Sequence, residues 1–192
     1  MVSIGDAVVY RHHVCTVAAL REAYFEGRDY WELHALFENS LKLFVATDDA
    51  QPPTLRPVMT RKEALSLIDS IHDADAIDED AVQSQAATPT LRERRMKEEY
   101  DRRLKTFAPE DLIPIMKSVH LRTARCEGAG RHITATDKKY FDLAEGLLCD
   151  ELSLSLDIPR EQVKDFLVER IGQGEAKGRH RAGILRTAGE PR

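Results

Sequence analysis

The chain has 192 residues, of which 42% are hydrophobic and 32% are charged, and its formal net charge is −5. This length suits one medium domain or two small ones, and no run of about 18 apolar residues predicts a membrane-spanning helix. The first residues, MVSIGDAVVY, lack a basic segment followed by an apolar one, and three widely spaced cysteines do not form a disulfide framework. We therefore expect a cytoplasmic protein without a signal peptide and without a membrane partner.

The first half of the chain predicts short β-strands. The segments AVVYR and VCTVAAL are rich in β-branched residues, and EGRD predicts a turn around Gly27 between two arms at 16–26 and 28–36. In LKLFVA the apolar Leu41, Leu43 and Val45 alternate with Lys42 and Phe44, which predicts a strand with two different faces. A last short strand follows near 56–58. Closely spaced strands without intervening helices favour a small antiparallel barrel.

The second half predicts helices. Thr60 and Glu63 have capping-box spacing at the start of one helix, and the acidic, then small and polar residues 73–90 predict a linker. Beyond it, Met96, Tyr100, Leu104 and Phe107 form one helical stripe. Three further helix starts are expected at Pro109, at Thr134 with Asp137, and at Pro159.

The predicted fold class is α+β, with an N-terminal small antiparallel β-barrel of Tudor/SH3-like type followed by a C-terminal all-helical bundle. We place the barrel domain at 1–72, the linker at 73–90, the helical domain at 91–172 and a disordered basic tail at 173–192. Residues 1–90 carry a net charge of −8 and residues 91–192 a net charge of +3, so the two halves differ in charge.

In the stretch GDAVVYRHHVCTV, His12 and His13 lie close to Cys15. This arrangement has three possible interpretations: a metal site, a catalytic Cys/His pair, or a turn. A zinc site needs about four ligands, and no second cluster has ligand spacing. A catalytic thiol needs a base that a third group holds in place, and no such group is evident. We therefore expect a turn between two strands, no metal, no cofactor and no small-molecule substrate. We expect no enzymatic activity.

Several segments, taken in order, resemble the CarD/CdnL family of bacterial transcription regulators. VSIGDAVVYRHHV is similar to the family opening Val-Gly-Asp-x-Val-Val-Tyr-Pro-x-His-Gly, with Arg11 in place of the proline and Val14 in place of the glycine. YWELHALFENSLKLFVATDD, LRPVMTRKEALSLI and ITATDKKYFDLAEGLLCDELSLSLDI resemble later family segments. The likeness covers about residues 2–171.

This resemblance implies a Tudor-like domain that docks on the β subunit of RNA polymerase by strand pairing. The predicted polymerase-binding residues are Leu41, Lys42, Leu43, Phe44 and Val45. Some family members have arginine where Phe44 stands, so docking here is expected to depend more on apolar contact. An alternative is that Phe44 lies over the rim of the barrel or against the helical domain.

The resemblance also implies a helical domain that contacts promoter DNA near the upstream edge of the melted region. Many family members have, where this chain has Met96, a tryptophan that acts as a wedge at the edge of the melted DNA. The alternative is that Met96 is an ordinary core residue. The predicted DNA-binding residues are Arg92, Arg94, Arg95, Met96, Lys97, Arg122, Arg125, Lys138 and Lys139. Lys and Arg contacts to phosphate give salt-dependent, sequence-independent affinity.

Two alternatives remain for the second half. Its basic residues can belong to a solvated helix face, with Glu98 paired to Arg102 and Glu99 to Arg103 at i,i+4 spacing. The helical domain can also bind a protein partner, so that the chain acts as a polymerase-docking adaptor and does not bind DNA. Two acids between Met96 and Tyr100 motivate this second possibility.

Overall fold

The computed structural model describes residues 2–50, 54–84 and 86–172. The strands are β1 Ala7–Tyr10, β2 His13–Phe25, β3 Arg28–Ala35, β4 Lys42–Ala46 and β5 Leu55–Pro57. The helices are α1 Arg61–Ser70, α2 Glu79–Gln83, α3 Pro89–Leu104, α4 Leu112–Gly128, α5 Ala135–Leu156 and α6 at 163–172, with 3₁₀ turns Pro109–Asp111 and Arg160–Gln162 before α4 and α6. The tail predicted to be disordered, 173–192, lies outside the described residues.

The five strands form one antiparallel sheet in the order β4-β3-β2-β1-β5. The sheet is not closed into a barrel, because its two edge strands, β4 and β5, do not pair with each other in the described part of the chain. Strand β2 has register shifts between Val17 and Ala19 and between Arg21 and Phe25, and such irregularities bend a strand. The predicted antiparallel β-unit is therefore an open sheet in this structure.

Both predicted hairpins are present, but the first turn lies one residue earlier than the turn predicted at His12 and His13, because His13 already belongs to β2. Tyr10 pairs with His13, so Arg11 and His12 form a two-residue turn. Arg11 has a φ of 56°, a conformation that proline cannot adopt, so the proline of the resembling family motif would not fit this turn. In the second hairpin, Glu26 and Gly27 have φ of 51° and 71°, as both central residues of a type I′ turn require.

Two hydrophobic cores are formed. The sheet core consists of Val8, Cys15, Val17, Leu33, Val45 and Leu55. The helical core includes Ala64, Leu67 and Ile68 of α1 together with residues of the later helices. The boundary between the cores therefore falls between β5 and α1, which is earlier than the domain boundary predicted at 72.

The segment predicted as a linker contributes to the helical core. Ile77 is 6% exposed and its backbone N–H donates to Ser118 Oγ at 2.7 Å, and α2 follows at Glu79–Gln83. An acidic and small-residue composition masked this role, although Val82 and Ala74 also pack, partly buried, against the helical core.

The helix starts agree with the predicted capping signals. Thr60 and Glu63 form a complete capping box, and Thr134 accepts from the backbone N–H of Asp137. Helix α3 begins at Pro89, after the cap Thr88. Helix α4 continues to Gly128, and the glycines of CEGAGRH lie at its last residue and after it.

Candidate protein-docking edge and nucleic-acid face

Strand β4 is an edge of the sheet, and its backbone presents unpaired groups. Ala35 N–H donates to the carbonyl of Leu41, and Thr47 N–H donates to Asp29. In an antiparallel pair hydrogen-bonded and non-hydrogen-bonded residues alternate, so Leu43 and Val45 also bond to β3. The N–H and C=O groups of residues 42 and 44 and the N–H of residue 46 therefore face away from the sheet, whereas the carbonyl of Ala46 accepts from the backbone N–H of Asp49 at 3.0 Å. A strand of another chain can pair with these groups.

The side chains of β4 alternate as predicted. Lys42 and Phe44 are exposed, Leu43 is intermediate, and Val45 is buried in the sheet core. Leu41, the remaining predicted polymerase-binding residue, lies just before the strand and bonds to β3 through its carbonyl. Of the five predicted residues, Lys42 and Phe44 are the ones whose backbone and side chain are both available to a partner.

Phe44 belongs to an aromatic patch on this outer face. Its ring stacks on Tyr24 with centroids 4.8 Å apart and planes 9° from parallel, and Tyr24 meets Tyr30 edge-on at 5.8 Å. Phe44 is 38% exposed and Tyr24 is 53% exposed. The patch adjoins the free backbone of β4, so a strand paired there would cover it.

A buried carboxylate, Glu32, organises the charges beside this patch. It is 3% exposed and accepts hydrogen bonds from Arg21 Nε at 2.7 Å, His34 Nε2 at 2.7 Å and Lys42 Nζ at 3.4 Å. The hydrogen bonds from His34 and Arg21 lower the pKa of Glu32 to about 2. Glu32 could not be recognised from the sequence, because its partners come from three different strands.

The histidine and cysteine stretch has a structural role. His12 donates from Nε2 to the carbonyl of Leu104 at 2.5 Å, and His13 pairs with Glu38. Cys15 is fully buried, and burial raises the pKa of its thiol to about 12, which opposes formation of a nucleophilic thiolate. Within the described residues no group of three or more His, Cys, Asp or Glu side chains is arranged to hold a metal ion.

Met96 lies in the helical core and not on a DNA-facing surface. It is 1% exposed, and it belongs to the same core cluster as Tyr100. Tyr100 is fully buried, its hydroxyl donates to Asp137 at 3.0 Å, and its ring lies 5.1 Å from that of Tyr140. The interpretation of Met96 as a wedge is therefore wrong for this structure, because the side chain does not reach the surface.

Two predicted DNA-binding arginines serve internal ion pairs. Arg122 is 17% exposed and its Nε lies 3.1 Å from the buried Asp137, while its Nη1 lies 3.5 Å from Glu79. Arg125 also pairs with Glu79. Arg122 links α4 to α5 and to α2, so its prediction as a DNA-binding residue is wrong for this structure. Arg125 is exposed, but Glu79 already neutralises its charge.

The other predicted basic residues are exposed. Arg94 pairs with Glu98 at 2.9 Å, Lys138 with Asp142 at 2.7 Å, and Arg92 donates to the carbonyl of Ala86 at 3.2 Å. In the described part of the chain Arg95, Lys97 and Lys139 have no ion-pair partner.

Lys97 on α3 and Lys139 on α5 are both exposed and lie on two helices that contact each other. Thr136 Oγ1 donates to Glu93 Oε1 at 3.1 Å, and each lysine lies about one helical turn from this contact. They form the strongest candidate phosphate-contacting pair of the helical half.

The predicted pairing of the acids with Arg102 and Arg103 is half correct. Arg103 bonds Glu99 at 2.9 Å with i,i+4 spacing, as predicted. Arg102 also bonds Glu99, at 2.6 Å with i,i+3 spacing, because Glu98 pairs backwards with Arg94. The network is only partly solvated, since the side chains of Arg103 and Glu99 are 20% and 13% exposed, and Arg103 also pairs with Asp111 at 3.1 Å.

An apolar groove of about 660 Å³ lies between α1, α4, α5 and α6. Its lining includes Ile71, Met116, Leu121 and Phe141, and Val168 beside it is 73% exposed. The sequence did not indicate this groove, because its walls come from four helices.

A comparison of the chain with models of known protein families found no match, and a comparison with curated proteins found none either. Across the residues that the structure describes, every helix is too short or too polar to cross a membrane.

Proposed function

We propose that this protein is a CarD-like, cytoplasmic transcription regulator that binds the β subunit of RNA polymerase and modulates the stability of promoter open complexes. The observation that carries the proposal is the free edge of β4, which combines outward backbone groups with the exposed Lys42 and Phe44. Main-chain bonds would give affinity and the two side chains specificity. The open sheet would act as the Tudor-like module.

The proposed DNA contact is made by the helical half near the upstream edge of the melted region. Lys97, Lys139 and Lys138 are exposed on neighbouring turns of α3 and α5. The rest of the molecule is acidic overall, so free affinity for DNA is expected to be weak. Tethering to polymerase raises the local DNA concentration and makes a weak contact effective. The effect is on an equilibrium, without covalent chemistry.

Binding of the full chain to the purified β-subunit lobe tests the docking edge. Phe44→Asp places a charge on the aromatic patch and is expected to reduce affinity at least tenfold. Lys42→Pro removes one outward N–H, whereas Lys42→Ala keeps that N–H, so the proline variant is expected to bind more weakly than the alanine variant. The pairing of β3 with β4 does not use this N–H, so proline should leave the sheet itself intact. Equal affinity of Lys42→Pro and Lys42→Ala would contradict strand pairing.

The salt dependence of promoter-DNA binding tests the helical face. The logarithm of affinity falls by about 0.9 per phosphate contact for each logarithmic unit of salt, so Lys97→Ala with Lys139→Ala is expected to reduce that slope by about 2. The matched control is Lys62→Ala with Lys164→Ala, two lysines on other faces, which should leave the slope unchanged. An unchanged slope in the first pair would refute the assigned DNA face.

The apolar groove favours a second candidate function, a polymerase-docking adaptor. Among the described residues that line it, His72, Lys117, His120 and Lys164 are basic and Glu145 is acidic. Lys164 and Glu145 pair with each other, and Lys117 donates to backbone carbonyls, so the two histidines remain for a partner. This chemistry suits an amphipathic helix of a protein partner with acidic residues beside its apolar face. Loss of DNA binding without loss of regulation would favour this candidate.

A further inference from the structure

One end of the sheet's outer face is covered by the helical half. Val9 pairs with Val14 and with Arg56 across the strands, so these three side chains share a face. Val9 and Val14 are 2% and 3% exposed, although neither belongs to the sheet core. The same face continues through Thr16 and its cross-strand neighbours to β4, where it is open. The helices thus cover the β1–β5 end and leave the β4 end free.

A bidentate ion pair joins the two halves at the covered end. Arg56 Nη1 and Nη2 donate to Glu151 Oε1 and Oε2 of α5 at 2.5 and 2.7 Å. The Arg56 side chain is 18% exposed and that of Glu151 is 5% exposed. Two parallel hydrogen bonds fix the angle as well as the distance between the planar groups.

Neighbouring contacts strengthen this connection. Glu151 Oε1 also accepts from the backbone N–H of Met59 at 3.1 Å, and Arg61 donates to the carbonyl of Leu156 at the end of α5. The segment between β5 and α1 is therefore held along α5. The sheet core and the helical core share no buried residue. These polar contacts therefore influence the orientation of the two units relative to each other.

A second anchor lies at the β1–β2 turn. His12 donates to the carbonyl of Leu104 at the end of α3, and its ring meets Phe107 edge-on at 5.2 Å. One anchor on β5 and another on this turn define an orientation that a single contact would leave free to rotate.

We propose that Arg56 and Glu151 form a clamp that sets the orientation of the helical half relative to the β4 edge. Arg56 and Glu151 are positioning residues: neither touches the proposed docking edge or the exposed lysines. The clamp rests on the structure alone, whereas its effect on transcription rests on the proposed function. With polymerase bound at one end and DNA at the other, the clamp would fix where the lysines meet the promoter.

Distances between two spin labels on the full chain test the clamp. Labels are attached at Glu22→Cys on β2 and Lys139→Cys on α5, in a Cys126→Ser background in which the buried Cys15 and Cys149 stay unlabelled. The parent protein should give one narrow distance distribution. Arg56→Met with Glu151→Leu removes both charges together, which avoids an uncompensated buried charge, and should widen the distribution at least twofold with unchanged circular dichroism.

Arg56→Lys gives a second measurement that does not depend on the double variant folding. It keeps the charge and loses the bidentate geometry, so it should also widen the distribution. The control is Arg170→Met with Asp69→Leu, which removes a bidentate pair at 2.7 Å inside the helical half and should leave the width unchanged. Narrow, unshifted distributions in both Arg56 variants would overturn the clamp.

A transcription assay on the double variant Arg56→Met with Glu151→Leu distinguishes failure of the clamp from failure of the proposed function. The double variant should bind the β-subunit lobe with parent affinity but lose at least tenfold in its effect on open-complex lifetime. If the parent protein does not bind the lobe, the proposed function fails, and the label distances still decide whether the clamp exists. A full open-complex effect in a variant with widened distances would refute the role of the clamp in regulation.

Discussion

Glu32 is a buried acid on the part of the sheet's outer face that the helices leave open, and His34 and Arg21 hold it ionised. Its pKa falls from the usual 4.5 to about 2, so the unfolded chain binds a proton that the folded chain does not between these values. The stabilisation from Glu32 is therefore complete above pH 4.5 and is lost as the pH falls towards 2.

This titration predicts the behaviour of Glu32→Gln. The free energy of unfolding, measured with urea from pH 7 to pH 3, should fall less steeply below pH 4.5 in the variant than in the parent. Glu22→Gln removes the same charge from an exposed position of β2 and should keep the parent slope. Parallel profiles for parent and Glu32→Gln would show that the hydrogen bonds from His34 and Arg21 do not hold the carboxylate ionised.

Whether the role of a single residue could be predicted from the sequence depends on how far away in sequence its partners lie. The alternation at Lys42 and Phe44 was predictable, because the two-residue period of a strand is local. The roles of Glu32 and Arg122 were not predictable, since each is defined by side chains from elements far away in sequence. A basic residue on a helix looks the same in sequence whether it faces phosphate or a buried aspartate.

At the scale of elements, the role of helix α3 depends on whether Met96 is a core residue or reaches the surface. Met96 is a core residue that is 1% exposed, so Met96→Ala should lower the free energy of unfolding of the protein by about 2–5 kcal/mol. Met96→Leu nearly conserves volume and should cost less than about 1.5 kcal/mol. Urea unfolding measures both values. A loss below about 1 kcal/mol in Met96→Ala, with impaired promoter melting, would restore the wedge interpretation.

Helix starts were predictable because a cap involves residues only three apart, as at Thr60 and Thr134. Closure of the sheet was not, because it depends on whether β4 and β5 meet. The short β5 pairs only with β1 in the described residues. The same limit applies to α1: its capping box was evident from the sequence, but which of the two cores it joins was not.

For the whole molecule, the division of the cores predicts which part folds alone. Ala64, Leu67 and Ile68 of α1 pack in the helical core, and Arg170 of α6 pairs with Asp69 of α1. A chain beginning at residue 59 keeps these contacts, whereas one beginning at residue 73 loses them. Burial of a large aliphatic side chain contributes about 1.5–3 kcal/mol, so losing Leu67 and Ile68 removes roughly 3–6 kcal/mol, a large share of the ~5–15 kcal/mol that stabilises a domain.

We therefore expect fragment 59–172 to unfold cooperatively, with a clearly higher urea midpoint than fragment 73–172. Circular dichroism at the helical minimum measures both transitions. Lys62→Ala in the longer fragment changes an exposed residue of α1 and should leave its midpoint unchanged, which separates loss of packing from a surface effect. Equal midpoints for the two fragments would mean that α1 adds nothing to the helical core, and the boundary predicted from sequence at residue 72 would then describe the folding units better.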